Sequence, residues 1–170
     1  ENFGAMNVLC SDKTGTFTEG TMRFHAALNL EGAASERVLF HAALNASFET
    51  GFINPLDEAI RTQCIRDLSG YTKLDEVPYD FLRKRLSILV ALSTTHLLIS
   101  KGAVEPILAV CSRVELPDGS TVAIESRIEQ IRRQFEEMNR QGLRTLGLAI
   151  RDMGETARIG KDQEADMTFL

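Results

Sequence analysis

The chain has 170 residues, a formal charge of −5 at neutral pH, 44% hydrophobic residues and 25% charged residues. This is enough apolar material for one globular core, and the mild acidity with scattered Lys and Arg excludes bulk nucleic-acid binding. The three cysteines, Cys10, Cys64 and Cys111, are far apart and form neither a Cys-x-x-Cys nor a His/Cys cluster, so they read as free thiols packed like small hydrophobes in a reducing compartment. No apolar run approaches the ~20 residues that cross a bilayer, and no signal peptide is evident. The chain therefore reads as a soluble cytosolic piece.

Asn7-Val8-Leu9-Cys10 is an apolar run that ends on Ser11-Asp12-Lys13-Thr14-Gly15-Thr16, the pattern of a short buried strand running into a polar loop. Asp12 then lies at the carboxyl end of a strand, where open α/β sheets place their ligands. There it fits two descriptions. One is a nucleophile that attacks a phosphoryl group to give an acyl phosphate, with Lys13 offsetting charge and Thr14 orienting the group. The other is an ordinary solvated turn, since Asp, Thr and Gly are turn residues.

Met22, Phe24, Ala26, Leu28 and Leu30 alternate with polar residues, which predicts a half-buried strand. Ser35 is placed to cap a helix carrying Val38, Leu39, Ala42 and Ala43 toward a core. Asn54 and Pro55 open a second helix, on which Leu56, Ala59, Ile60, Cys64 and Leu68 recur until Gly70. After Pro78, Leu86 to Leu92 and His96 to Ser100 form a hairpin across Ser93-Thr94-Thr95. A short helix from about Ala103 to Val110 follows. Arg113 to Leu116 and Thr121 to Ile124 flank the turn Pro117-Asp118-Gly119.

A long helix capped near Ser126 presents Ile128, Ile131, Phe135 and Met138, with Glu129/Arg133 and Arg132/Glu136 as charge pairs on its wet side. Gly142 ends it. Leu143 to Ile150 is a strand, residues 152–165 a polar loop, and Met167 to Leu170 the start of a further strand. The whole is an α+β pattern with antiparallel hairpins at its centre.

Four further stretches carry possible chemistry. Lys101-Gly102 ends a strand just before a helix start, a place that favours phosphate, although a lysine there is ordinarily solvated. Phe81, with Arg83 close by, precedes a strand; it is either a core aromatic or a ring free to stack on a purine. Asp57 sits in a first helical turn, where an acid is favoured on the surface. Arg144 follows a helix cap.

Asp12-Lys13-Thr14-Gly15-Thr16, Phe81-Leu82-Arg83-Lys84-Arg85, Lys101-Gly102-Ala103-Val104-Glu105 and Gly142-Leu143-Arg144 occur in the order found in P-type cation-transporting ATPases, which this chain resembles over essentially its whole length. Phe17, Gly20 and Val104 depart from the residues usual there. Asn2 to Met6, Thr50-Gly51 and Asn139 to Arg144 are similar to the bacterial magnesium-transporting branch.

The resemblance implies a twisted antiparallel sheet flanked by helices, with short pieces of an α/β phosphorylation domain at both ends. Residues 1–20 and 164–170 would belong to that domain and residues 21–163 to the inserted nucleotide-binding domain. It also implies ATP and Mg²⁺ as cofactors, and Asp12 as the phosphorylated nucleophile, with Asp12 and Thr14 forming part of the Mg²⁺ site. Phe81 would stack on adenine, Asp57 accept from its amino group, Lys101 and Gly102 line its pocket, and Arg83 and Arg144 meet phosphate. The missing actuator domain, the remaining phosphorylation domain and the transmembrane helices would be partners of a cytoplasmic part of a membrane pump. Two other classes compete. One is a stand-alone nucleotide-binding module. The other is a haloacid-dehalogenase-type phosphatase, disfavoured because Thr14 stands where a general-acid Asp is usual.

Overall fold

The computed structural model describes residues 22–51 and 54–170. Helices α1 (Glu36–Phe48) and α2 (Pro55–Arg61) are followed by strands β1 (Thr72–Asp80), β2 (Arg85–Leu92) and β3 (Thr95–Gly102). Helix α3 (Val104–Leu108), strands β4 (Cys111–Glu115) and β5 (Thr121–Ala123), helix α4 (Ile128–Arg140), and strands β6 (Gly147–Asp152) and β7 (Met167–Phe169) complete the described fold. The seven strands form one sheet in the order β1-β2-β3-β6-β7-β4-β5. Every pairing is antiparallel except β4 with β7, so the α+β class read from the sequence is the architecture observed.

The central strands are buried on both faces. Leu86, Ile88, Val90, Ile99, Leu148 and Ile150 pack against Phe40 and Leu44 of α1. Leu89, Leu98 and Ala149 face the other way, onto Val104, Ile107 and Leu108 of α3 and Ile131 of α4. This two-sided burial explains why β2 reads as a continuous apolar run rather than an alternation. Each large side chain buried here contributes about 1.5–3 kcal/mol.

Two of the three expected caps are formed. Ser35 Oγ accepts from the Val38 N–H, and Asn54 Oδ1 accepts from the Leu56 N–H at 3.0 Å, with Pro55 at the first helical position. The β2–β3 hairpin closes with Leu92 opposite Thr95 and Ser93 at φ 56°.

Several segments differ from expectation. Residues 22–30 make no strand; they carry one bridge, Leu28 to Ala34, and lay Phe24 and Ala27 on the α1/α2 cluster. The segment packs its apolar residues on the helices instead of adding to either sheet edge, β1 or β5. Helix α2 stops at Arg61, where the bonds shorten to Gln63 N–H onto Ile60 O and Cys64 N–H onto Arg61 O. Cys64 and Leu68 still reach the core, but Ile65 is left exposed.

Strand β1 was hidden by Pro78. It is an edge strand, where a missing N–H is tolerated, and Pro78 falls within an irregularity of the register between Val77 and Asp80. Helix α4 has no side-chain cap, because Ser126 Oγ donates instead to Ala123 O. Its ion pairs also differ: Arg132 bridges to Glu105 on α3 at 3.0 Å, and Glu136 pairs with Arg140 at 3.6 Å.

Candidate nucleotide site

Lys101 and Gly102 are the last residues of β3. In register, Lys101 stands between Leu86 of β2 and Leu148 of β6, on the face covered by α1 and α2. Asp57 lies in the first turn of α2, held in place by the Asn54 cap. The Lys101 ammonium donates to Asp57 Oδ1 and lies 3.3 Å from Glu49 Oε2, just past the end of α1. Asp57 is 1% exposed, and its Oδ2 is buried without a hydrogen-bond partner. Burial pushes the Glu49 carboxyl above its usual range; the Lys101 charge opposes this and the Asp57 charge adds to it.

A cavity of about 370 Å³ opens beside this pair. Lys101 and Arg144 both line it, with Leu56, Ile60, Phe135 and Leu146 among its apolar walls. Gly142, at φ 75°, turns the chain out of α4 so that Arg144 reaches the rim. Arg144 is exposed, and its side chain has no polar partner among the described residues.

Phe81 and Arg83 lie in the 81–84 turn between β1 and β2, at the same end of the sheet as Lys101. They do not line the cavity. Phe81 is 86% exposed and meets Tyr79 edge to face at 5.5 Å. Arg83 is tied to Asp80 and Glu164, on the Ser87/Ser100 face of the sheet, opposite Lys101 by strand alternation. The space beside Gly102 is taken by the chain itself. A Cβ there would collide with the Lys84 carbonyl oxygen and lie 2.6 Å from Arg85 Cβ.

Among the expected residues, then, the fold sets Lys101 and Arg144 on one cavity and pairs Lys101 with Asp57, which does not itself line it, while Phe81 and Arg83 stand apart. Asp12, Lys13 and Thr14 lie outside the described residues. Among the described residues no group of three His, Cys, Asp or Glu side chains could hold a metal, and no helix is long and apolar enough to cross a membrane.

Two acids escaped sequence reading, Glu49 beside Lys101 and Glu164 beneath the 81–84 turn. Glu49 stood in a segment that offered only a Thr-Gly break. Glu164 ended a polar stretch with no periodicity to mark it as interior, yet it is 3% exposed. Its neighbours Met167 to Phe169, expected to return to a phosphorylation domain, are inserted here between β6 and β4 of the same sheet.

The family described as P-type ATPase, cytoplasmic domain N, matches residues 1–170. Over the whole chain the sequence is 41% identical to the magnesium-transporting ATPase, P-type 1, of Escherichia coli K12 and 39% identical to its namesake from Salmonella typhimurium, in each case covering 19% of the relative. A probable cation-transporting P-type ATPase of Mycoplasma genitalium is 26% identical over 89% of the chain and 17% of its own length. The chain thus spans about a fifth of the curated relatives it matches, and a family match from end to end, on an antiparallel sheet of this order, makes it a member of the P-type cation ATPases, within their cytoplasmic domain N.

Proposed function

We propose that this chain is the ATP-binding part of a P-type pump that moves a cation, Mg²⁺ by analogy with its relatives' names, through an aspartyl-phosphate on Asp12. The observation that carries the reading is Lys101, which lines the cavity and is ion-paired to the buried Asp57, one of whose oxygens is still unpartnered. A buried acceptor of this kind normally has a partner, and an exocyclic purine amine is a donor of the right type. Lys101 holds the carboxylate in place through the ion pair, and the free guanidinium of Arg144 suits the phosphates. Phe81 supplies an exposed ring next to that end of the sheet, able to stack on the base once the turn and cavity are bridged by ligand.

Asp12, with Lys13 and Thr14, would take the γ-phosphoryl group; bound Mg²⁺ would neutralise phosphate charge there. Turnover would need the rest of the pump, on the cytoplasmic side of a membrane. The 170-residue chain alone binds ATP and does not turn it over.

Calorimetric titration tests this. ATP should bind the wild type, and Lys101→Ala, Phe81→Ala and Arg144→Ala should each weaken it about tenfold, ~1.4 kcal/mol. Unchanged affinity in all three variants removes the assigned pocket. Sustained Mg²⁺-dependent phosphate release from the pure chain contradicts the binding-only role.

A further inference from the structure

We propose that Glu164 is a positioning residue of the nucleotide site: through Arg83 it fixes the turn that projects Phe81, and Arg83 serves as that bolt rather than as a phosphate ligand. The inference rests on the nucleotide-binding reading above.

Asp80 Oδ1 accepts from the backbone N–H groups of Leu82 and Arg83, at 3.0 and 2.6 Å, and Asp80 O accepts from the Lys84 N–H at 2.8 Å. Asp80 therefore shapes the turn, and Arg83 Nε in turn holds Asp80 Oδ2 at 2.5 Å. The rest of the guanidinium is occupied as well. Nη1 donates to both Glu164 oxygens, at 2.5 and 2.6 Å, and Nη2 to Pro78 O at 2.6 Å.

Glu164 is the anchor of this chain of contacts. Its side chain has no exposure and is further held by Arg85 Nε at 2.9 Å and Ser87 Oγ at 2.6 Å. Swinging Arg83 out to a phosphate would strip a buried carboxylate of one of its two cations, which is costly. Arg144 and Lys84 are exposed, and their side chains have no partners among the described residues, so they are free to meet phosphate without that loss.

The test uses the whole chain and two probes, ATP by calorimetry and adenosine by NMR titration. Adenosine has the base but no phosphate. Glu164→Gln and Arg83→Ala should weaken both probes by the same factor, about tenfold, as expected for lost stacking on one base. In a Phe81→Ala background, Glu164→Gln should have no further effect on adenosine.

An Arg83→Ala loss confined to ATP would make Arg83 a phosphate ligand and overturn the proposal. So would a Glu164→Gln loss that persists undiminished without Phe81. If Glu164→Gln does not fold by circular dichroism, Asp80→Asn loosens the same bolt from its exposed end and takes its place. If Lys101→Ala weakens adenosine and Phe81→Ala does not, the pocket stands and the positioning role falls. If the wild type binds neither probe, the nucleotide reading itself fails.

Discussion

Asp57 and Lys101, 44 residues apart in the chain, form a buried ion pair that joins the first turn of α2 to the penultimate residue of β3. Glu49 approaches the same ammonium from the end of α1, so one cation serves two acids in a space with little water. Removing the cation leaves both carboxylates uncompensated, whereas removing one acid leaves the other in place. Lys101→Met should therefore destabilise the fold by about 3–5 kcal/mol, the usual cost of breaking a buried pair. Lys101→Met combined with Asp57→Asn should recover part of it. Urea unfolding of the two variants measures the difference.

Glu49 gives this cluster a pH dependence with a definite sign. Burial raises its folded-state carboxyl above the ordinary 4.5. A raised acid holds its proton more tightly in the folded than in the unfolded chain. Its contribution is therefore complete below pH 4.5 and is lost as pH climbs through the raised value. Glu49→Gln should flatten the stability–pH curve over that window, as read from melting temperatures at successive pH values.

Asp80 has the opposite sign. The Arg83 backbone N–H and then the Arg83 side chain hold its carboxyl well below its ordinary 3.8. Its contribution is present above pH 3.8 and disappears only as pH falls through the depressed value. The amide resonances of Leu82 and Arg83 should stay fixed down to that range and then move together. Movement near pH 4 would mean that the turn is not held this way.

Gly102 can be separated from other glycines by what its missing side chain would meet. The obstacle at 102 is the backbone of the 81–84 turn, which cannot yield without breaking the Ala103 N–H bond to Lys84 O. At Gly70 the nearest atom is the end of the Leu92 side chain at 3.3 Å, which can shift. Gly102→Ala should cost about 1–3 kcal/mol, as overpacking does, and Gly70→Ala much less. Thermal unfolding distinguishes them.

The core offers a calibration. Leu44 is fully buried between α1 and the sheet, and Ile65 is 96% exposed. Leu44→Ala should cost about 2–5 kcal/mol. Ile65→Ala should lie within about 0.5 kcal/mol of wild type in the same denaturation assay.

The sequence was most readable where local signals agreed. The β2–β3 hairpin had apolar runs and turn residues together, and Ser35 and Asn54 stood just ahead of helical spacing. It was least readable where a partner decided the outcome. The alternation at 22–30 is as regular as a strand's, but its apolar residues Phe24 and Ala27 pack against α1 and α2 rather than in a sheet. Pro78 argued against β1 until the edge position made it harmless.

At the site, Asp57, Lys101 and Arg144 were each visible as a polar residue beside a helix or strand end. Which of them would meet was set by strand register, beyond the reach of local pattern. Glu164 had no signal at all, since only the fold surrounds it with Arg83, Arg85 and Ser87.

Strand β7 has a consequence for synthesis on the ribosome. It lies between β6 and β4, so β1-β2-β3-β6 on one side and β4-β5 on the other share no ladder until residues 167–169 emerge. The nascent polypeptide must therefore wait, with two half-built pieces and unpaired inner margins, for a keystone that is translated after everything it joins.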